Sequence, residues 1–406
     1  MNAVVFTLGC KVNEVESASI MASLEKLGFE TSDKLSFADI YVLNTCAVTR
    51  EAEKKSRQLI ARARKFNPAA QVFVCGCASE KDKKAYEDKS VTFVCGARDK
   101  EEIIAAVASR FGCENIGLGF PKQTKTRAFI KIQDGCNNFC SYCIIPYLRG
   151  REKSRKVEDI LGEIKKTDCP EIVLNGINIS SYGYEGVTLC DLIRALSGVD
   201  KRVRLGSLEC GIITKEFLSA LKGLKDFAPQ FHLSLQSGST AVLKTMNRHY
   251  TREEYIDKCK LVYSYFPDAA ITTDIIAGFA TETEKDFEES LSIIDNVGFA
   301  RVHAFAFSPR EGTVAYKLKD LHADIKSERL HRLLAVGETA AKRYIERFLY
   351  KPLTFIAEEV EEGLTTGYTP NYIKVYVPVP LESGKKYGVQ LSGIFKDGAY
   401  GKLIDN

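Results

Sequence analysis

The segment AFIKIQDGCNNFCSYC, residues 128–143, joins an apolar stretch to three closely spaced cysteines. The apolar stretch predicts a β-strand, so the cysteines fall on the loop at its carboxyl end, where β/α-barrels place their active sites. Three thiolates on one loop can bind three irons of a cubane cluster and leave the fourth iron open. A structural zinc site needs four ligands, and no fourth Cys or His lies nearby. We therefore predict that this central triad, defined as Cys136, Cys140 and Cys143, holds a catalytic iron–sulfur cluster.

The composition is that of a globular protein with more than one domain. The chain has 406 residues, of which 45% are hydrophobic and 27% charged, and this length predicts two or three domains. No apolar run approaches the roughly 18–20 residues of a membrane span. The first residues, MNAVVFTLGC, predict a strand rather than a targeting signal. We therefore expect a cytoplasmic protein with no membrane partner.

Thirteen cysteines are a high number for such a chain. Because disulfides are disfavoured in the cytoplasm, the number favours metal ligation or thiol chemistry. Five isolated cysteines are interpreted instead as small buried hydrophobic residues, namely Cys113, Cys169, Cys190, Cys210 and Cys259.

Residues 1–112 alternate predicted strands with predicted helices. The strands are expected at residues 4–8, 40–43, 72–74 and 91–94, and the helices at residues 14–27, 51–64 and 81–87. This alternation predicts an α/β domain with a parallel sheet covered on both faces. A boundary is expected near residues 117–126, where Gly, Pro, Lys and Thr replace the apolar pattern.

The same alternation continues from residue 128 to residue 312. Six strands are expected, at residues 129–132, 171–175, 202–208, 231–235, 270–276 and 301–305. Six strand–helix units predict a partial (β/α)6 barrel rather than a complete eight-fold one. A long helix is expected at residues 325–349, and Pro352 stops its continuation. Short strands at residues 353–359, 372–378, 387–395 and 402–404 then predict a small β-barrel.

A second group of cysteines follows the strands expected in residues 1–112. Cys10, Cys46 and the pair Cys75 and Cys77 each lie at the end of such a strand, and Cys95 ends another. Because the carboxyl ends of parallel strands share one edge of a sheet, these thiols can converge on a second metal site. The spacing does not choose among Cys75, Cys77 and Cys95. The alternative is that small residues are simply favoured where a strand turns into a loop.

Several strings along the chain resemble one family. They are TLGCKVN (7–13), NTCAVT (44–49), CGCASE (75–80), RGREKSR (149–155), LQSGS (235–239), MNR (246–248) and FSPREGT (307–313). With CNNFCSYC they resemble the methylthiotransferases of the radical S-adenosylmethionine superfamily. The resemblance implies an amino-terminal domain at residues 1–117, a radical S-adenosylmethionine core at residues 127–350, and a TRAM-like RNA-binding barrel at residues 351–406. It also implies that Cys10, Cys46 and Cys77 hold a second cluster, with Cys75 at a non-ligand position.

The resemblance further implies two [4Fe–4S] clusters and S-adenosylmethionine as cofactors. The central cluster would cleave S-adenosylmethionine to a 5′-deoxyadenosyl radical, and the second would deliver the sulfur, which a second S-adenosylmethionine methylates. Tyr142 is expected beside the cofactor's adenine. Further cofactor contacts are expected near the ends of barrel strands, at Gly176, Asn178, Glu209, Gln236 and Asp274. No catalytic side chain beyond the cluster ligands is expected. The five histidines show no metal spacing and are interpreted as structural or surface residues.

One departure from the family pattern concerns the fifth β/α turn. The family usually has a Pro-Gly pair before the Glu-Thr of this turn, whereas this chain has FATE at residues 279–282. The sequence therefore leaves the conformation of this loop open.

The strings around the first cysteines also indicate a substrate. They most resemble the branch of the family that acts on N6-threonylcarbamoyladenosine at position 37 of tRNA, inserting sulfur at C2. The isopentenyladenosine branch usually has Gln-Met-Asn after its first cysteine and the ribosomal-protein aspartate branch has Pro-Lys-Asn, whereas this chain has Lys-Val-Asn at residues 11–13. Those two branches remain the alternatives.

A group of basic residues around the central triad agrees with an RNA partner. Residues 122–156 contain two acidic residues and nine basic ones, namely Lys122, Lys125, Arg127, Lys131, Arg149, Arg151, Lys153, Arg155 and Lys156. Such grouping is typical of proteins that bind a polyanion. Residues 351–406 carry six basic and seven acidic residues, a net charge of −1. Their barrel would therefore contact RNA through its shape or through aromatic residues such as Tyr368, Tyr372 and Tyr376.

The resemblance also implies partners. These are the anticodon stem-loop of tRNA, an electron donor such as flavodoxin or ferredoxin, and a sulfur donor, and a monomer is expected. An alternative from another class is a non-catalytic RNA-binding protein whose cysteines serve only as metal staples. That alternative predicts four ligands at each site and no cleavage of S-adenosylmethionine.

Overall fold

The computed structural model describes residues 1–88, 90–123 and 126–404, so Lys125 and residues 405–406 of the predicted carboxy-terminal barrel lie outside the described residues. The chain divides into two compact units. The first comprises Met1–Gln123, Asp134–Lys153 and Arg310–Tyr316, and the second comprises Thr124–Gln133, Ser154–Pro309 and Lys317–Asn406. The loop that carries the central triad thus belongs to the first unit, whereas the barrel strands belong to the second.

The first unit is built on a parallel sheet of five strands in the order β2-β1-β3-β4-β5. The strands are β1 (Asn2–Thr7), β2 (Glu30–Ser32), β3 (Ile40–Thr45), β4 (Gln71–Gly76) and β5 (Phe93–Val94). Every residue of the central strand β3 is buried, as expected for a strand covered on both faces. Val42 lies opposite Val5 on one side and Phe73 on the other. The predicted parallel α/β sheet is confirmed.

The helices of the first unit are α1 (Lys11–Lys26), α2 (Arg50–Phe66), α3 (Cys77–Lys81), α4 (Glu101–Phe111) and α5 (Ile145–Arg149). The prediction of a helix at residues 81–87 is wrong, because α3 ends at Lys81 and only one 3-10 turn, Lys84–Tyr86, follows. Asp82 separates the two: its carboxylate accepts a hydrogen bond of 3.1 Å from the amide of Ala85 and so starts a new turn.

Helix α4 is not among the predicted helices, although its sequence carries ordinary helix signals. Ile103, Ile104 and Val107 are buried on one face, and the helix ends at Gly112 in the left-handed conformation. These residues pack with Val5 and Ile20 in one of the two apolar cores of this unit.

The second unit contains the six predicted barrel strands, which are confirmed. They form two parallel sheets, in the orders β12-β9-β6 and β13-β14-β15-β16. The strands of these two sheets are β6 (Arg127–Lys131), β9 (Glu171–Asn175), β12 (Arg202–Leu205), β13 (Ser207–Leu208), β14 (Gln230–Leu233), β15 (Ala270–Ala277) and β16 (Arg301–Ala306). Two short pairs stand apart from them: β7 (Gln133–Asp134) with β8 (Lys153–Ser154), whose residues are divided between the units, and β10 (Gly183–Tyr184) with β11 (Val187–Thr188). The third predicted strand is divided at Gly206, where a Cβ would lie only 2.9 Å from the carbonyl oxygen of Leu174.

Seven helices of the second unit accompany these strands. They are α6 (Val157–Lys166), α7 (Leu189–Ala195), α8 (Lys215–Lys222), α9 (Thr240–Thr245), α10 (Arg252–Tyr265), α11 (Glu284–Val297) and α12 (Ala323–Glu346). The loop at residues 279–282, whose conformation the sequence leaves open, is held by Glu282. Its carboxylate accepts hydrogen bonds of 2.8 Å from the amide of Gly278 and from Arg329 of α12.

The chain ends in a closed five-stranded barrel of order β17-β18-β19-β21-β20, so the predicted small β-barrel is confirmed. Its strands are β17 (Pro352–Glu361), β18 (Leu364–Tyr368), β19 (Lys374–Val377), β20 (Lys386–Phe395) and β21 (Gly398–Leu403). Strand β18 is not among the predicted strands, because its sequence, LTTGY, has no apolar run. Its glycine, Gly367, is required by close packing: a Cβ there would lie 1.9 Å from the carbonyl oxygen of Ile356.

Within the described residues, none of the helices combines the length and the apolar character that a membrane crossing requires.

Candidate metal centres and cofactor pocket

Three cysteines of the first unit follow three neighbouring strands of its sheet. Cys10 follows β1 and precedes α1, Cys46 follows β3 directly, and Cys77 follows β4 directly as the first residue of α3. Strands β1, β3 and β4 are adjacent, so these residues share the carboxyl edge of the sheet. We call Cys10, Cys46 and Cys77 the amino-terminal triad.

Packing and charge indicate that these thiols are neighbours. A Cβ on Gly9 would lie 3.0 Å from the Cys46 sulfur, so the turn that carries Cys10 touches Cys46. Burial raises the pKa of Cys46, and the charges of Cys77 and Cys10 raise it further. Burial also raises the pKa of Cys77, against which the charge of the Arg149 guanidinium lowers it. A bound cation or cluster would offset the repulsion between neighbouring thiolates.

Cys75 and Cys95 lie on the opposite face of the same sheet. Both are buried in the apolar core formed with Ile20 and Ile103, whereas Cys77 packs in the other core, with Leu59 and Ala78. Burial raises the pKa of Cys75 to about 12. The sheet therefore places Cys77 on one face and Cys75 and Cys95 on the other, a distinction that the sequence spacing does not make.

The central triad lies on the loop between β7 and α5. The amide of Cys143 donates a hydrogen bond of 2.9 Å to the carbonyl of Cys140, and the amide of Cys136 donates one of 3.1 Å to the carbonyl of Gly150. Phe139, directly before Cys140, has φ of 47°, which is an uncommon conformation for an aromatic residue. Tyr142 is half-buried between Cys140 and Cys143 in the sequence.

The donor sets suit iron–sulfur clusters. Each triad offers three thiols and no oxygen ligand, which favours iron–sulfur or zinc over magnesium or calcium. The hydroxyl of Ser141, between two central cysteines, is buried and has no hydrogen-bond partner among the described residues. Across residues 1–88, 90–123 and 126–404, no group of three His, Cys, Asp or Glu side chains has the geometry of a metal site. The ligand assignments therefore stay predictions.

The predicted cofactor contacts in the second unit lie along its barrel strands. Gly176 and Asn178 follow β9, and the amide of Asn178 donates a hydrogen bond of 2.9 Å to the side chain of Gln133. A Cβ on Gly176 would lie 2.9 Å from the carbonyl oxygen of Gln133, so this position admits only glycine without a shift.

The remaining three predicted contacts have partners within the second unit. Glu209 follows β13 and accepts a hydrogen bond of 2.9 Å from Arg248. Gln236 has φ of 72°, and its amide donates to the carbonyl of Asp274. Asp274 lies inside β15 rather than at its end, 3.2 Å from the Nε2 atom of His232. The structure thus brings Gln236 and Asp274 together, while Glu209 has a separate partner.

Two histidines form a feature that sequence reasoning missed. The rings of His232 and His303 lie 5.7 Å apart on strands that both flank β15. Burial lowers the pKa of His303, and the charge of His232 lowers it further. Their separation in sequence gave no metal-like spacing; only the pairing of β14, β15 and β16 brings them together.

The basic group at residues 122–156 is less available to RNA than its composition suggests. Arg149 is buried against Glu16 and Asp134, Arg127 pairs with Glu171, and Arg155 pairs with Glu163. These three arginines pair with carboxylates of their own unit, so they contribute little of the positive charge that an RNA partner would meet. Lys122, Arg151, Lys153 and Lys156 are exposed.

Comparison with known proteins identifies the family. Residues 2–96 match the family described as "Uncharacterized protein family UPF0004", and residues 130–294 match the Radical SAM superfamily. A threonylcarbamoyladenosine tRNA methylthiotransferase of Bacillus subtilis is 37% identical over 91% of this chain and 88% of its own length. The chain belongs to the methylthiotransferase family. The family named by the sequence resemblance is thereby confirmed.

Two further relatives extend the comparison. A protein of the same name from Thermotoga maritima is 34% identical over 97% of this chain and 94% of its own length. A tRNA-2-methylthio-N(6)-dimethylallyladenosine synthase of Thermosipho africanus is also 34% identical, over 98% of each chain. Among solved structures, a radical S-adenosylmethionine methyltransferase, TsrM, from Kitasatospora setae superposes with a TM-score of 0.57 at 11% identity, covering 82% of this chain and 84% of that one. That likeness supports the fold alone.

Family membership settles the class of chemistry. As a methylthiotransferase of the radical S-adenosylmethionine superfamily, the chain is an enzyme that uses iron–sulfur chemistry and S-adenosylmethionine. The alternative of a non-catalytic, metal-stapled RNA-binding protein is not supported.

Proposed function

We propose that this methylthiotransferase converts N6-threonylcarbamoyladenosine at position 37 of tRNA to its 2-methylthio derivative. The observation that carries the proposal is the naming of the relatives from Bacillus subtilis, Chlamydia pneumoniae and Thermotoga maritima, which are 37%, 35% and 34% identical over at least 91% of this chain. The string Lys-Val-Asn at residues 11–13, directly after Cys10, supports the same branch.

The two triads would hold two [4Fe–4S] clusters, one each. When bound, the cluster at Cys136, Cys140 and Cys143 supplies the electron that cleaves S-adenosylmethionine, and that at Cys10, Cys46 and Cys77 supplies sulfur. The chain's own contribution is to fix the thiols and to exclude water. Ordered backbone at the central loop supports this role, since amides of Cys136 and Cys143 are hydrogen-bonded within the unit.

The cofactor would also be positioned by the residues around the barrel. Tyr142 would pack beside the adenine, and Gly176 and Asn178, in the turn after β9, would contact the methionyl group. Glu209, Gln236 and Asp274 would bind the polar groups of the ribose and the methionyl moiety. The hydrogen bonds of Glu209 to Arg248 and of Asp274 to His232 would hold these carboxylates in fixed orientations.

Three functional regions follow from this assignment. Residues 1–117 would form the sulfur-delivering domain, residues 127–350 the radical S-adenosylmethionine core, and residues 351–406 the TRAM-like RNA-binding barrel. Of the barrel aromatics expected to stack on RNA, Tyr376 is buried, and Tyr368 and Tyr372 stack on each other at 4.9 Å with Arg127 over Tyr368. RNA would instead meet the exposed ring of Tyr400, which stacks on Phe395 at 4.0 Å.

The partners follow from the reaction. The enzyme would act as a monomer in the cytoplasm on the anticodon stem-loop of tRNA. It would receive electrons from a flavodoxin or ferredoxin and its sulfur from a separate donor.

The direct test is mass spectrometry of tRNA nucleosides from a deletion strain, with and without the gene restored. We expect the methylthio group to disappear from threonylcarbamoyladenosine and to return on complementation, with isopentenyladenosine unaffected. Loss from isopentenyladenosine instead would assign the chain to that branch. Loss from neither nucleoside, with an undermodified ribosomal-protein aspartate, would assign it to the third branch.

A further inference from the structure

A buried network of charged side chains lies in the first unit, close to the amino-terminal triad. Arg149 makes a bidentate pair with Glu16 of α1, with Nη1–Oε1 at 3.0 Å and Nη2–Oε2 at 3.1 Å. Its Nη1 also donates to Asp134 at 3.0 Å, and Lys100 pairs with the same Glu16. The side chain of Arg149 is 1% exposed. Two cations therefore face two carboxylates inside the first unit.

Asn13 connects this network to the cysteines. Its side-chain oxygen accepts a hydrogen bond from Nη2 of Arg149, and its side-chain nitrogen donates to the carbonyls of Leu8, at 2.7 Å, and Thr45, at 3.1 Å. Leu8 is two residues before Cys10, and Thr45 is directly before Cys46. One buried amide thus ties together the ends of the two strands that carry these cysteines.

Arg149 determines which way this amide points. The nitrogen of an amide donates and its oxygen accepts, so the orientation that serves both carbonyls requires a donor facing the oxygen. Among the described residues, the guanidinium of Arg149 donates the side-chain hydrogen bond to this oxygen. Without it, the amide would keep a buried oxygen unpaired, and the turns before Cys10 and Cys46 would lose a common anchor.

The same segment also holds the central triad. Arg149 is the last residue of α5, which begins two residues after Cys143, and the next carbonyl, that of Gly150, accepts the amide of Cys136. Segment 149–150 is therefore connected to both triads, to the amino-terminal one through Asn13 and to the central one through the carbonyl of Gly150.

A purely stabilising role would not explain this arrangement. Buried ion pairs contribute little net stability, because desolvation offsets most of their attraction, whereas they do fix geometry. Arg149 belongs to the basic group around the central triad, but its burial keeps it from contact with an RNA partner.

We propose that Arg149 is the positioning residue of the amino-terminal triad: through Asn13 it fixes the backbone that precedes Cys10 and Cys46. The inference rests on the proposed assignment of Cys10, Cys46 and Cys77 as cluster ligands. It goes beyond that assignment because Arg149 comes from the segment that carries the central triad, not from the strands that carry Cys10, Cys46 and Cys77.

The test uses the full chain with Cys136, Cys140 and Cys143 changed to alanine, so that only the amino-terminal site can bind a cluster. In this parent we expect about four irons per chain after anaerobic reconstitution, with the corresponding electron paramagnetic resonance signal upon reduction. Arg149→Gln and Arg149→Lys should each lower the iron to about one or less, because neither side chain offers the guanidinium fork. In the metal-free protein, alkylation of the buried Cys46 should accelerate at least about tenfold.

The matched control is Arg204→Gln. Arg204 forms an equally buried bidentate pair with Glu171, at 2.8 and 3.1 Å, in the second unit, which carries neither triad. Its loss should leave about four irons and the alkylation rate of Cys46 unchanged. Equal iron loss in Arg204→Gln would overturn the proposal, because general destabilisation would then explain both variants.

A second variant covers the case in which Arg149→Gln does not fold. Asn13→Ala should show the same iron loss and the same faster alkylation of Cys46. The double variant Asn13→Ala with Arg149→Lys should bind as much iron as Asn13→Ala alone, because both changes break the same link. Retention of iron in Arg149→Gln or Asn13→Ala, or rescue by lysine, would overturn the positioning role while leaving the proposed function intact. A parent that binds no iron would instead contradict the ligand assignment itself.

Discussion

The two cysteine triads are assembled in opposite ways. Cys136, Cys140 and Cys143 lie on one loop, and local hydrogen bonds within that loop and to Gly150 order it. Cys10, Cys46 and Cys77 follow three strands and share one edge of the sheet because β1, β3 and β4 are adjacent. The proposed central site therefore depends on a short segment, whereas the proposed amino-terminal site depends on the whole sheet. The difference predicts that changes in the central triad abolish radical generation, whereas changes in the amino-terminal triad abolish sulfur insertion. It also predicts that changes in the sheet affect the amino-terminal triad more than the central one.

The largest expected effect is loss of radical generation in Cys140→Ala. Formation of 5′-deoxyadenosine should fall at least about a thousandfold, because the open-iron site loses a ligand, and iron should fall from about eight to about four per chain. Liquid chromatography of the reduced, reconstituted enzyme measures the product. Cys169→Ala, at an isolated buried cysteine, is the control and should retain both values. Cleavage within tenfold of the parent would refute the assignment of the central triad.

Cys46→Ala should separate the two tasks. Iron should again fall to about four per chain, but cleavage of S-adenosylmethionine should stay within about threefold of the parent, because the central loop is intact. Methylthiolated nucleoside should fall at least about a hundredfold in the same reactions with tRNA. A parallel loss of 5′-deoxyadenosine would show that the two sites are not independent in this way.

Gly76→Ala tests how closely the backbone before Cys77 must pack against the end of β3. Gly76 has φ of 109°, and a Cβ there would lie 2.5 Å from the carbonyl oxygen of Thr45, so the substitution combines strain with a backbone clash. We expect a loss of about 2–4 kcal/mol in the free energy of unfolding, measured in denaturant. Gly28→Ala is the matched control: its φ of 89° carries the strain, but no atom lies within 4 Å of the added Cβ. It should cost about 1 kcal/mol.

The smallest effect is expected for Cys75→Ala. Cys75 is fully buried on the face of the sheet away from the amino-terminal triad, so iron should remain at about eight per chain and only about 1 kcal/mol of stability should be lost. Cys77→Ala, two residues along, should lose about half the iron. If the two variants exchanged these results, Cys75 and not Cys77 would be the ligand.

The contrast between the triads also explains what the sequence could predict. The central triad is local, so its spacing and the preceding strand were enough to place it on a loop at a strand end. The parallel sheets and the closed barrel follow from alternating apolar runs, which are equally local signals. For the amino-terminal triad the sequence left three candidates for the third cysteine, Cys75, Cys77 and Cys95, because the face on which each lies depends on where β4 and β5 end. Gly76 turns the chain with a positive φ, so the two-residue alternation that would put Cys75 and Cys77 on one face stops there.

Long-range pairing accounts for two features that the sequence did not reveal. Arg149 counts as an RNA-binding cation in a composition argument, and only the fold shows that Glu16 and Asp134 neutralise it. His232 and His303 meet across β15, which no spacing rule detects. The incorrect helix at residues 81–87 has a local cause, since the carboxylate of Asp82 caps a separate turn.

The most direct test of two independent sites is Mössbauer spectroscopy of protein reconstituted with 57Fe. The wild-type chain should bind about eight irons as two equal [4Fe–4S] populations. Replacing Cys10, Cys46 and Cys77 with alanine should remove one population, and replacing Cys136, Cys140 and Cys143 should remove the other. A wild-type chain with a single four-iron population, or a triple variant that loses both, would contradict the account.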